Sequence, residues 1–129
     1  HMKSAFNYAE CSTAERLKVG CVIVKDDRII SIGYNGMPSG WTNVCEDHRF
    51  QTKPEVLHAE ENAITKLARS TESGEGATAF ITHGPCLSCA KLLYSSGIVL
   101  VYYTHPYKNT EGLDFLNDCN IKVNAYADN

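Results

Sequence analysis

His58-Ala59-Glu60 and, further along, Pro85-Cys86-Leu87-Ser88-Cys89 are the two stretches from which the rest of the chain is read. One imidazole and two thiols are three ligands of the kind zinc prefers, and three protein ligands leave the fourth tetrahedral position open to water. Cys86 and Cys89 stand three apart, so on a helix they share one face within a single turn. His58 and Glu60 are separated by about 200° around a helix of about 3.6 residues per turn, so they cannot both face one site from mid-helix. The site therefore lies off a helix end. His58 sits in or just before the first turn, and Glu60 reaches across the open side as a base rather than a ligand.

A zinc ion with two thiolates and one neutral imidazole carries no net charge, so it polarises water less than a site of three neutral ligands does. Help comes from Glu60 and from the partial positive charge at the helix starts near His58 and Cys86. Each helix end contributes about 0.3–1 kcal/mol. Bringing water from a pKa of about 15.7 to about 7 corresponds to roughly 12 kcal/mol, so the metal and Glu60 must supply nearly all of it. Two other readings compete. A Cys-x-x-Cys pair is also a redox dithiol motif, and His83 or Cys45 could close a four-ligand structural zinc. Neither has a use for a carboxylate beside the histidine. H-x-E followed by P-C-x-x-C is the known signature of zinc-dependent deaminases.

The chain resembles the zinc-dependent cytidine deaminase-like superfamily, and in detail its deoxycytidylate (dCMP) deaminase branch. The likeness rests on HAEENA (58–63), PCLSCAK (85–91), the run Val19-Gly20-Cys21-Val22-Ile23-Val24 and the loop Gly33-Tyr34-Asn35-Gly36-Met37-Pro38-Ser39-Gly40. It extends from about residue 4 to residue 126, and the GYNGMPSG loop favours the dCMP branch. His83 and Gly84 depart from the family's usual apolar residue and Ser or Glu before the PC motif, which bears on local pocket contacts and not on the metal.

At 129 residues the whole chain, 1–129, reads as one domain with one core. Twelve basic against fifteen acidic residues give −3 with no Lys/Arg stripe, which disfavours a long nucleic acid and fits a small substrate. Six cysteines without a signal peptide or long apolar run point to thiols in a reducing, cytoplasmic setting away from membranes. His1 ahead of Met2 reads as a tag remnant.

Residues 3–11 carry a helical pattern. Val19–Lys25 and Arg28–Tyr34 flank the turn signal Asp26-Asp27 and read as a hairpin. Residues 35–54 form a long aperiodic loop, and such loops are usually functional. The sequence then predicts a helix over 58–70, a strand over 77–82, a helix over 85–96 closed by Gly97, a strand over 98–103, a helix near 112–118 and a strand over 121–126. Strand-helix alternation in the second half implies parallel crossovers, giving an α/β fold with a mixed five-stranded sheet and helices on both faces. The resemblance implies the cytidine deaminase-like three-layer α/β/α arrangement.

The resemblance further implies hydrolytic deamination of dCMP to dUMP. Glu60 would take a proton from the attacking water and pass protons to N3 and the leaving amine, and backbone N–H groups at the start of the Cys86 helix would face the developing charge. The same likeness carries over Asn35, Ala59, Thr82, Pro85 and Tyr107 as substrate contacts, Asn35 toward the sugar hydroxyl. Arg49, Lys53 and Lys108 are the donors near the right loops for a phosphate. The family also implies a homohexamer, activated by dCTP and inhibited by dTTP with Mg²⁺. Lys18, Arg28, Asn35 and Gly36 around the glycine-rich turn are the candidate effector residues, since turn N–H groups bind anions. Cys45 and His48 read as loop residues rather than a second zinc site, and isolated Cys11, Cys21 and Cys119 as buried small apolar groups. The alternatives are a deaminase of cytidine, deoxycytidine or tRNA adenosine, and an inactive zinc-stabilised interaction module.

Overall fold

The structure is a computed structural model and describes residues 1–126. Its elements in order are α1 (Met2–Ala9), β1 (Gly20–Lys25), β2 (Arg28–Tyr34), α2 (Ala59–Leu67), β3 (Thr78–His83), α3 (Leu87–Ser95), β4 (Leu100–His105), α4 (Glu111–Asp118) and β5 (Lys122–Ala125). The five strands form one sheet in the order β2-β1-β3-β4-β5. β1 pairs antiparallel with β2 and β3, while β3, β4 and β5 run parallel. The mixed sheet read from the sequence is therefore present, and the hairpin supplies its antiparallel edge. Asp26 and Asp27 take φ of 52° and 61°. Left-handed backbone at both central residues is the type I′ turn whose twist matches the flanking strands.

Alternation along β1 assigns the layers. Val22 and Val24 face α1, where they pack with Met2 and Ala5. Cys21 and Ile23 face the other side with Ala79, Ile81 and Val101, under Ala59 and Ala63 of α2 and Ala90 and Leu93 of α3. Fully burying a side chain such as Ile23, Ile81 or Leu93 contributes about 1.5–3 kcal/mol, so this second layer holds most of the core. No helix among the described residues is long and apolar enough to cross a membrane.

Two glycines set how close elements come. A Cβ on Gly33 would overlap the Ala59 carbonyl and the Ala63 amide, so β2 touches the backbone of α2. A Cβ on Gly112 would overlap the Pro85 carbonyl and lie 2.9 Å from that of Cys86, so α4 rests directly on the chain just before α3.

The expected helices over 58–70 and 85–96 begin one and two residues later, at Ala59 and Leu87. His58 and Cys86 are the caps, with extended backbone at φ −73°, ψ 157° and φ −70°, ψ 170°. An N-cap residue is not yet helical, which swings its side chain outward past the helix end. Cys21 is buried as expected, but Cys11 is exposed and Cys119 half-buried. Cys11 lies beyond the end of α1, where the helix no longer presents an apolar face to the sheet.

Candidate active site

The two helix starts meet. His58 caps α2, Cys86 caps α3, and Cys89 stands one turn into α3 on the face that Cys86 overhangs. His58 Nδ1 lies 3.2 Å from Cys89 Sγ and 3.5 Å from Cys86 Sγ. All three donor atoms fall within 4.8 Å of one another, and this is the one such group of three or more among the described residues. A tetrahedral zinc with bonds of about 2.0 Å to nitrogen and 2.3 Å to sulfur holds those atoms about 3.5 Å apart. The donors fit that ion, whereas Cys45 and His83 do not join them. His58 is fixed from behind by its own N–H, which donates to the Glu61 carboxylate at 2.9 Å.

Protons in this corner are arranged for a cation. Hydrogen bonds from Cys89 and then from His58 pull the Cys86 thiol down to about 4. The Cys89 thiol is pushed far up, first by acting as donor to Cys86 and then by burial. The hydrogen bond to Cys86 raises His58 against the opposing effect of its partial burial. Glu60, on the second helical residue of α2, is only 4% exposed. Burial lifts its carboxyl to about 7, the range in which a general base can both take and return a proton near neutral pH. Cys21 lies beneath it, its thiol raised by burial and then by the Glu60 charge, and so inert.

His58, Glu60 and Cys86 form the floor of a cavity of about 490 Å³, with Cys89 buried beneath them. Asn35, Ala59 and Tyr107 line it as expected residues. Thr82 and Pro85 are wholly buried behind it instead. The Thr82 hydroxyl accepts the Gly20 N–H at 3.1 Å and lies 2.8 Å from His83 Nδ1, and His83 does line the cavity. The Asn35 amide is engaged by backbone, donating to Leu17 O at 2.8 Å and accepting from Val19 N at 2.9 Å. It thereby fastens the segment that enters β1.

Of the three cations named for the phosphate, Lys108 lines the cavity, while Arg49 and Lys53 stand away from it. Arg16, which the sequence reading passed over, is the second lining cation, and Glu46 holds its backbone. One Glu46 oxygen accepts the N–H groups of Glu15 and Arg16 at 3.0 and 3.1 Å. The signal for Arg16 was its place at the entry to β1. Glu46 gave none, being one acidic residue in an aperiodic loop. In that loop Cys45 is buried and His48 exposed.

A second concavity of about 540 Å³ is walled by Tyr34–Gly40, with Lys66 opposite. Lys18 and Arg28 do not line it. Arg28 starts β2 at the hairpin end and pairs with Glu72 at 3.5 Å, and six residues of strand at about 3.3 Å each put it roughly 20 Å from the loop. The Gly36 N–H donates to Leu57 O at 3.1 Å, so it is not open to an anion.

A profile of the cytidine and deoxycytidylate deaminase zinc-binding region matches residues 1–105. The chain is 35% identical over 150 aligned residues to deoxycytidylate deaminase of Enterobacteria phage T4, covering 82% of this chain and 77% of that protein. It is 38% identical to ComE operon protein 2 of Bacillus subtilis, where the match takes in 75% of this chain and 53%, about half, of the relative's length. Among solved structures it is similar to the dCMP deaminase of cyanophage S-TIM5, crystallised with dCMP and dUMP. That match has a TM-score of 0.95 at 42% identity and covers 97% of this chain and 93% of the other.

Proposed function

Because this chain belongs to the cytidine and deoxycytidylate deaminase family, we propose that it converts dCMP hydrolytically to dUMP with release of ammonia, using one zinc held by His58, Cys86 and Cys89. The observation that carries this reading is the buried Glu60 beside three zinc-type donors, in a cavity whose cations are Arg16 and Lys108.

When bound, zinc supplies Lewis acidity that brings water within reach of a carboxylate base. Glu60 then takes the water's proton as C4 of the cytosine is attacked. It returns protons to N3 and to the leaving amine, one group serving as base and then as acid. The starts of α2 and α3 meet at this corner, so the positive ends of both helices favour negative charge developing there. Arg16 and Lys108 suit a monophosphate, and a neutral nucleoside has no use for them. Asn35, Ala59 and Tyr107 form the wall against which the sugar and base rest, with Thr82 and Pro85 behind it. The setting is the cytoplasm.

The deciding measurement is kcat/KM for dCMP, dCTP, deoxycytidine and an RNA hairpin, with zinc content determined on the same sample. A clear preference for dCMP is expected. Equal values for dCMP and deoxycytidine would overturn the monophosphate reading and leave a nucleoside deaminase.

The proposal extends to a homohexamer activated by dCTP and inhibited by dTTP, each with Mg²⁺, in the second concavity. Asn35 lines both concavities, which supports a route from effector to substrate. Lys66 lines that concavity, and we assign it, in place of Lys18 and Arg28, as the cation for a triphosphate. Coupling energies are typically about 1–3 kcal/mol, so the expected result is a sigmoidal dCMP curve that dCTP makes hyperbolic and dTTP moves to the right. A hyperbolic curve indifferent to both, from a sedimenting monomer, would remove this part.

A further inference from the structure

Thr82 is fully buried, so its hydroxyl proton has no water to bond. One of its two close partners, the Gly20 N–H, is a donor and cannot take that proton. The other is His83 Nδ1 at 2.8 Å. A buried hydroxyl proton left without an acceptor is costly, so Nδ1 accepts and the ring carries its own hydrogen on Nε2. The edge of the ring turned toward Thr82 is closed, and His83 is among the residues that line the cavity. His105 stands 5.0 Å away, centroid to centroid, as the neighbour across the strand ends. Burial and the His105 charge both disfavour a protonated His83. Beside this ring, the chain leaving β4 brings Tyr107 and Lys108 to the same cavity, and the Tyr107 N lies 3.3 Å from where a Gly84 Cβ would stand.

We propose that His83 is a specificity-determining residue of this site, presenting an Nε2–H donor, oriented by Thr82, to a phosphate oxygen of the substrate beside Lys108. This rests on the monophosphate reading above. It accounts for the burial of Thr82, which acts on the substrate through His83.

The experiment uses the zinc-loaded full chain and compares kcat/KM for dCMP and deoxycytidine in the wild type, His83→Leu, His83→Gln and Thr82→Val. A lost hydrogen bond to a charged oxygen is expected to lower the dCMP-to-deoxycytidine ratio about tenfold or more in His83→Leu, through KM rather than kcat. His83→Gln, whose amide N–H reaches about as far as Nε2, is expected to recover most of the ratio. Thr82→Val, which releases the ring, is expected to fall between. A ¹⁵N–¹H spectrum of the wild type is expected to show the Nε2-protonated tautomer. An unchanged ratio in His83→Leu, an equal loss on both substrates, or an Nδ1-protonated ring would overturn the assignment. A wild type with no preference for dCMP would instead overturn the monophosphate reading, and this inference with it.

Discussion

The floor and the walls of the substrate cavity are built by different means. The floor is two helix starts and the first turn behind each, with every functional side chain within three residues of a cap. The walls come from chain without regular structure, held by single side chains that reach backbone far away: Glu46 to the N–H groups of residues 15 and 16, Asn35 to Leu17 and Val19, Thr13 to Asn43. Helical hydrogen bonding fixes the first kind of geometry locally. The floor still needs its two helices to meet, but each brings its side chains ready-placed, whereas the walls take their local shape from the long-range contacts themselves. Chemistry therefore sits on the part that folding determines most directly, and recognition on the part with more freedom to vary.

The sharpest way to break this contrast is to strip the floor. Cys89→Ala is expected to lose stoichiometric zinc and essentially all activity, as measured by metal analysis and turnover. A variant that kept both would mean the metal is held elsewhere. Next in size is Glu60→Gln, which should retain zinc and fold but lose about 10²–10⁴ in kcat, since the amide cannot take a proton.

The walls should answer differently. Glu46→Ala removes the charged acceptor of two part-buried N–H groups on exposed residues, so water replaces part of it and the segment that carries Arg16 is loosened. The expected result is a rise of about tenfold or more in KM for dCMP with kcat within about threefold of wild type, and Glu46→Gln should restore most of it because an amide oxygen still accepts. A matching collapse of kcat would mean that floor and wall are one mechanical unit. The smallest effect is in the pH dependence of stability. His83 is depressed in the folded chain, so both folded and unfolded chains are neutral there above about pH 6.5. Below that the unfolded chain binds a proton first, and stability falls as pH drops toward the folded value. Denaturant titrations at pH 5 and 7 should show this slope reduced in His83→Leu, and NMR should place the His83 titration below that of a free histidine.

The same contrast explains what the sequence disclosed. His58, Glu60, Cys86 and Cys89 were legible because ligand type, spacing and helix geometry constrain one another within a few residues. The sheet was legible because Val19–Lys25 and Arg28–Tyr34 flank a two-residue turn and the later strands alternate with helices. Arg16, Glu46 and the hidden placement of Thr82 were not, since each depends on a meeting of segments about 20 to 60 residues apart that no local period announces. Lys18 and Arg28 were both placed by the strands that flank the glycine-rich loop, and only Lys18, between Leu17 and Val19 that bond Asn35, is at the loop's end of the sheet. A strand carries its two ends apart, and Arg28 belongs to the far one.

Gly112 gives the C-terminal part of the chain a say in the metal site that its sequence does not advertise. It lies beyond the 1–105 span matched by the family profile, and its missing side chain is the notch into which the Pro85 and Cys86 carbonyls fit. The last helix is thus a fitted buttress rather than an interchangeable appendix. A chimera that grafts another relative's α4–β5 unit onto residues 1–105 will inherit this chain's ligand geometry only where the graft carries the same notch at the same register.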